Sequence, residues 1–272
     1  MLVRLIKHEF YATRRILWPI FLGMAGLTVL VSLLYPLTAQ VDSRFLHSLL
    51  ALLFFAFFYA MLALQLAPLF LSALRFKRNF LQDEGYLTMT LPVSLHQQLA
   101  AKLLISAAWY VAVFCVSCLL TLWLFGRQAE NLSGLWQNLS RGLEELHRIA
   151  PTPWTEELFH LLLALLECLL VVMLGITLVS LVVYASYAIG YSRSKHRSLR
   201  TVLLLYVFFH VVTLGGAGMW FSLLNKLDGL ASGETVWAIH LFLASPIPCL
   251  LLFGAIFYAI TYWFLTHRLN LE

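Results

Sequence analysis

Glu167 is the only Asp, Glu, Lys or Arg between Leu158 and Gly190, nine residues into a strongly apolar run. At about 1.5 Å of rise per helical residue, it sits roughly 13 Å from the start of that run. An ionised carboxylate at such depth is costly. It must face a cavity, pair with a base or keep its proton. A place on a substrate or proton path meets that requirement, and so does a hydrogen bond between helices. Gln65 and His210 also fall inside apolar runs. They join Glu167 as candidates for a substrate path, although helix-packing roles suit both better.

Other patterns that could do chemistry are weak or missing. Cys115 and Cys118 are spaced C-x-x-C, as a redox pair or half a metal site would be. No flanking His, Asp or further Cys completes such a site, so small helix-buried thiols are expected here, as at Cys168 and Cys249. No G-x-x-x-x-G-K-[ST] loop is present to cradle a nucleotide phosphate. His8-Glu9 lacks the second His of a zinc motif, and Gly190-Tyr-Ser192-Arg lacks the last glycine of a nucleophile elbow. Neither catalytic nor metal-ligating residues are expected. Gly215, Gly216 and Gly218 read as a close-packing helix face.

A polar island from Arg75 to Lys102 interrupts the apolar sequence. Arg75, Lys77 and Arg78 place three charges at the end of a span. Asp83 is suited to cap a short new helix by accepting backbone N–H bonds. Tyr86, Met89 and Thr90 then share one face, and Leu87 and Leu91 another. Pro92 disfavours helix in the residue before it, which stops this short element. Ser94 with Gln97 forms a capping box that restarts a helix through Lys102. The pattern predicts a short crosspiece between two long helices.

The elements that carry these residues follow from composition. The chain has 272 residues, 61% hydrophobic and 11% charged, with mean hydropathy +0.86. Soluble domains average about 25% charged residues. The expectation is an all-α, polytopic membrane protein with six transmembrane helices, near residues 16–37, 46–74, 103–125, 158–190, 201–224 and 236–266. Pro68 is expected to kink the second. No cleavable signal peptide is expected, because the first apolar run starts late and is too long for one.

Thirteen of the eighteen Lys and Arg residues fall on one side of this arrangement: Arg4 to Arg15, Arg75 to Lys102, Arg193 to Arg200, and Arg268. Basic residues stay cytoplasmic, so both termini are placed there, in a multi-pass protein of the plasma (inner) membrane. The net charge of +5 follows from topology and attraction to lipid headgroups, and no nucleic-acid partner is called for. Residues 1–15 alternate as a basic amphipathic helix, with Arg4, Lys7, His8, Tyr11, Arg14 and Arg15 opposite Val3, Ile6, Phe10 and Leu17. This interfacial helix is expected to lie on the inner leaflet before the chain turns into the bilayer. The outer loop, 127–157, carries Leu132, Leu135, Trp136, Leu139, Leu143 and Leu146 at helical spacing. Its N-x-S sequons at Asn131 and Asn138 read as chance.

The run Asp83-Glu84-Gly85-Tyr86-Leu87-Thr88, then Leu91-Pro92-Val93-Ser94 and Lys102, resembles the permease subunits of type-two ABC transporters. Leu5-Ile6-Lys7-His8-Glu9-Phe10 and Tyr184-Ala-Ser-Tyr187-Ala-Ile-Gly190 before Lys195-His196-Arg197 add weaker likeness. The resemblance implies a type-two ABC exporter permease-like fold in one transmembrane domain, 1–272. It implies that 83–91, within a coupling segment 75–102, docks in a separate ATP-binding subunit. Asp83, Glu84, Gly85, Tyr86, Leu87 and Thr88 would make that contact. A second permease chain completes the pair. ATP and Mg belong to the partner, and this chain holds no cofactor.

Three rival readings stay open at this level. An intramembrane enzyme would need Glu167 and His210 to meet in one polar cavity. A non-transporting sensor or immunity subunit would bind an ATPase and carry nothing. A secondary transporter would show inverted repeats, and no convincing repeat is visible.

Overall fold

A computed structural model of the chain describes residues 2–40, 44–82, 85–86, 90, 92–128, 137, 140–141, 144, 154–192, 197–228 and 235–268. Among these residues all regular structure is helical and no strand occurs. The main helices are α1 (Leu2–Gln40), α2 (Arg44–Leu81), α3 (Leu95–Gln128), α4 (Trp154–Gly190), α5 (Arg197–Asp228), α6 (Thr235–Ala244) and α7 (Pro246–His267). They supply six stretches long and apolar enough to cross a membrane, the sixth spanning α6 and α7. Leu22, Phe55, Phe70, Leu162 and Leu214 all point away from protein and are more than half exposed. Water would not tolerate so much contiguous apolar surface, whereas lipid tails match it. The chain is built as a multi-pass membrane protein.

The contacts divide the chain into two units. One comprises residues 1–71 and 104–146. Its core is a seven-residue repeat: Leu17, Met24 and Val31 on α1, then Leu50, Phe57 and Leu64 on α2. A seven-residue period keeps the same stripe of a helix against its neighbour when two helices pack at a shallow angle. Trp109 on α3 completes the core. Its Nε1–H donates to Thr13 Oγ1 at 2.6 Å, and its ring stacks on Phe10 with centroids 5.0 Å apart.

That docking bears on the first helix. The sequence suggests a surface helix that ends near residue 15 and a turn into the bilayer. Instead α1 continues without interruption for 39 residues. At about 1.5 Å per residue it is roughly 58 Å long, well beyond a hydrocarbon core of about 30 Å. Glu9, Thr13 and Leu17 form its buried stripe here, while Val3 is exposed. Of the apolar face expected from Val3, Ile6, Phe10 and Leu17, Leu17 is buried and Ile6 packs against the core, while Val3 faces away. The Thr13 hydroxyl donates to the Glu9 carbonyl at 2.8 Å, which satisfies it while it accepts from Trp109.

The other unit comprises residues 72–103 and 147–272. Helix α4 is its axis, packed along α7 and α5. Leu178, Leu181, Val182 and Ala185 of α4 meet Phe257 of α7, with Phe208 and Val212 of α5 beside them. Gly215 gives the ring of Phe253 room, since a Cβ there would lie 3.2 Å from it. Gly218 has open space around it, so the close-packing face expected of these glycines extends only to the first two.

The sixth span is not one helix. Pro246 has no N–H to bond the Phe242 carbonyl, and Ser245 replaces it: its hydroxyl donates to that oxygen at 2.7 Å. Ser245 keeps helical dihedrals, φ −55° and ψ −32°. The interruption is therefore a change of hydrogen-bond partner, not a turn. Trp220 of α5 donates its indole N–H to the same hydroxyl, which leaves the polar groups of the break partnered inside an apolar environment. Pro68, by contrast, is carried within α2. The cysteines also differ from expectation. Only Cys249 is buried, and Cys115, Cys118 and Cys168 are free and exposed. In a membrane protein an apolar run can point its thiols at lipid as readily as at protein.

Candidate functional site

The connection between α2 and α3 is the first candidate. Asp83, Glu84, Leu87 and Thr88 lie outside the described residues. Gly85 and Tyr86 are helical; Gly85 is buried and Tyr86 is 69% exposed. The Gly85 N–H donates to the Gln82 carbonyl at 2.7 Å, which folds the chain back directly after α2. At the far end Ser94 Oγ accepts the Gln97 N–H at 3.3 Å, so half of the expected capping box is formed. Gln98 Nε2 donates to the Val93 carbonyl at 3.3 Å, securing the bend after Pro92.

Both ends of this connection are fastened to the same unit. Near the end of α2, Phe76 stacks on Tyr184 of α4 with centroids 4.2 Å apart and planes 8° from parallel. Phe80 leans on Phe76 at 5.2 Å, and Ser72 shares a hydrogen bond with the Tyr184 hydroxyl. Lys77 lies over the Tyr191 ring at 5.7 Å, with Arg197 over it at 5.9 Å. At the start of α3, His96 stacks on Tyr262 at 4.2 Å and its Nδ1 shares a hydrogen bond of 2.6 Å with the Tyr258 hydroxyl. Lys102 is over Phe80 at 5.5 Å. Stacked rings and cation–π contacts resist shear better than aliphatic packing, because ring planes fix orientation as well as distance. Tyr184, Tyr187 and Gly190 thus belong to the seat of this connection. Gly190 is pressed against Thr201 of α5 so closely that a Cβ would collide with it.

The second candidate surrounds Glu167. Its Oε2 lies 2.9 Å from Nδ1 of His240 on α6. The other nitrogen of that ring, Nε2, lies 3.0 Å from Nδ1 of His160 on α4. Trp237 presents an edge to both imidazoles, with centroids 5.8 Å from His160 and 5.9 Å from His240. Among the requirements set by depth, the carboxylate meets the second: it pairs with a base. The three side chains form a line, not a converging set. Among the described residues no group of three His, Cys, Asp or Glu side chains is arranged to hold a metal ion.

His210 does not join this line. It is exposed on α5, with Nδ1 2.9 Å from the Tyr206 carbonyl and its ring against Tyr206 and Phe209 of its own helix. Gln65 serves packing: its Nε2 donates to Ser117 Oγ on α3 at 3.0 Å. His160 was open to sequence reasoning, since it stands two helical turns from Glu167 on the same face. His240 was not, because no spacing rule relates α6 to α4 in register. No protein-family model, curated protein or solved structure matches this chain.

Proposed function

We propose that the chain is the membrane-spanning permease subunit of an ATP-driven transporter of the type-two ABC kind, working as an exporter. It couples to a separate ATP-binding subunit through the 83–91 crosspiece. ATP and Mg are bound and ATP is hydrolysed in the partner, and a second permease chain completes the translocating pair. The crosspiece faces the cytoplasm, as do both termini.

One observation carries this reading. The α2–α3 connection leaves an exposed aromatic, Tyr86, between two helix ends that are both fastened to α4 and α7 by stacked rings. A protein that docks on Tyr86 and shifts it would move two spans and their seat together. A loose surface loop would absorb such a push. The rival of an enzyme built on Glu167 and His210 finds no support, as those side chains bond to different partners.

The test is affinity purification of the tagged chain from its native membranes. An ATP-hydrolysing protein is expected to co-elute, and the doubly substituted Glu84→Ala, Tyr86→Ala chain is expected to insert normally while losing that partner or its substrate-stimulated turnover. Unchanged co-elution and turnover in the double variant would remove the crosspiece from the mechanism.

A further inference from the structure

We propose that His160, His240 and Glu167 are a proton relay, loading the neighbourhood of a membrane-embedded carboxylate from the N-terminal end of α4. The inference stands independently of the ATPase reading, since it involves only α4 and α6. His160 is two residues past the start of the apolar stretch at Leu158, and Glu167 is seven further on. The relay therefore covers about 10 Å along the axis of α4. His240 fills the interval with one nitrogen toward each neighbour, at 3.0 Å and 2.9 Å.

The geometry admits two proton arrangements. Two imidazole nitrogens at hydrogen-bond distance share one hydrogen. In the first arrangement the Glu167 carboxylate accepts from His240 Nδ1–H. His240 Nε2 then carries a lone pair and accepts from His160 Nδ1–H. The line of three has a net charge of −1. A proton arriving at His160 Nε2, the nitrogen turned away from His240, makes that ring an imidazolium. Its Nδ1 proton passes to His240 Nε2. His160 is left neutral with the new proton on Nε2, and His240 becomes an imidazolium beside the carboxylate. One proton has been taken up and the line is neutral. The uptake exchanges a lone carboxylate charge for an ion pair between Glu167 and His240.

A purely structural bond between α4 and α6 would need Glu167 and His240 alone. The third ring is what extends the line toward the start of α4, as far as its seventh residue. Among the described side chains no other charged group faces it. Helix α5 meets α6 here through Trp220, on Ser245 and Phe242. Helix α7 has no Asp, Glu, Lys, Arg or His before His267. Glu156 and Glu157 stand four and three residues before His160 on α4, and their side chains lie outside the described ones. Imidazole is the side chain that ordinarily changes charge between about pH 5 and about pH 8.

The experiment uses the full chain in lipid nanodiscs with nitrogen-15 in the histidine rings. Nitrogen resonances of His160 and His240, assigned by their loss in His160→Gln and His240→Gln, are followed across that pH range. The relay predicts that His240 gains a second N–H as pH falls, and that Glu167→Gln leaves less imidazolium at His240 at the same pH. It also predicts several-fold slower proton exchange at His240 in His160→Gln, a change that leaves the His240–Glu167 pair itself in place. A His240 ring that stays neutral throughout overturns the proposal. So does a charge indifferent to Glu167→Gln, or an exchange rate indifferent to His160→Gln.

Discussion

Single side chains carry most of the specific chemistry in this protein, and the same residue types do opposite things in different places. Glu167 is held by a base, whereas Gln65 and Ser117 simply tie two helices together. Such interhelical bonds are worth about 0.6 kcal/mol on average within a membrane. Glycine shows the same contrast: Gly218 has room for a side chain and Gly190 has none. In Gly190→Ala the new methyl would meet the Cα of Thr201 at 3.1 Å, and Thr201 is itself tied to the Arg197 carbonyl at 2.9 Å. The backbones of α4 and α5 must separate. We expect a loss of about 1–3 kcal/mol, seen as a lower thermal midpoint of the purified protein. Gly218→Ala is expected to leave that midpoint unchanged or raise it slightly, since alanine is the better helix former.

At the scale of elements, the crosspiece is defined by how its neighbours end and begin. Ser94 caps α3. Ser94→Ala should cost about 1 kcal/mol and concentrate the damage in the first turn of α3, where amide hydrogen exchange at Gln97 and Gln98 should accelerate. That cap was legible because capping chemistry is local: one hydroxyl and one N–H three residues on. The six apolar stretches were legible for a similar reason, since length and hydropathy alone decide whether a helix suits a bilayer. The interruption at Ser245 could have been read from Pro246 and Pro248. The repair of the Phe242 carbonyl by a serine hydroxyl could not, because it depends on a rotamer. Of the apolar face expected on the first turns of α1, Leu17 is buried and Phe10 stacks on Trp109, while Val3 is exposed and Glu9 and Thr13 join the buried stripe. Periodicity shows that a helix has two faces, and tertiary contact decides which one is buried. Trp109 makes that decision by drawing in Phe10 and Thr13.

For the whole molecule, the polar sites were legible as individual residues but not as constellations. Glu167 stood out by its cost, and His240 emerged only once α6 was placed beside α4. The seat of the crosspiece, with Phe76, Tyr184 and Tyr191, likewise joins α2 to a helix about one hundred residues later. Sidedness is the property that sequence predicts most directly at this scale. Thirteen of eighteen basic residues lie at the ends assigned to the cytoplasm, and translocating them is unfavourable. A protease-cleavable tag at either terminus should therefore be cut in inside-out membrane vesicles and protected in right-side-out ones. Cleavage in right-side-out vesicles would invert the arrangement and move the crosspiece to the wrong face for an ATPase.

The coupling role proposed for the crosspiece can be examined at Tyr86, its exposed aromatic. Tyr86 replaced by a photo-reactive phenylalanine, irradiated in intact cells, should join this chain covalently to a protein that hydrolyses ATP. The same label at Phe55, an exposed residue of α2 on the apolar surface, should react with lipid alone. Adducts from position 86 that contain only lipid, or none with any nucleotide-binding protein, would contradict the coupling account.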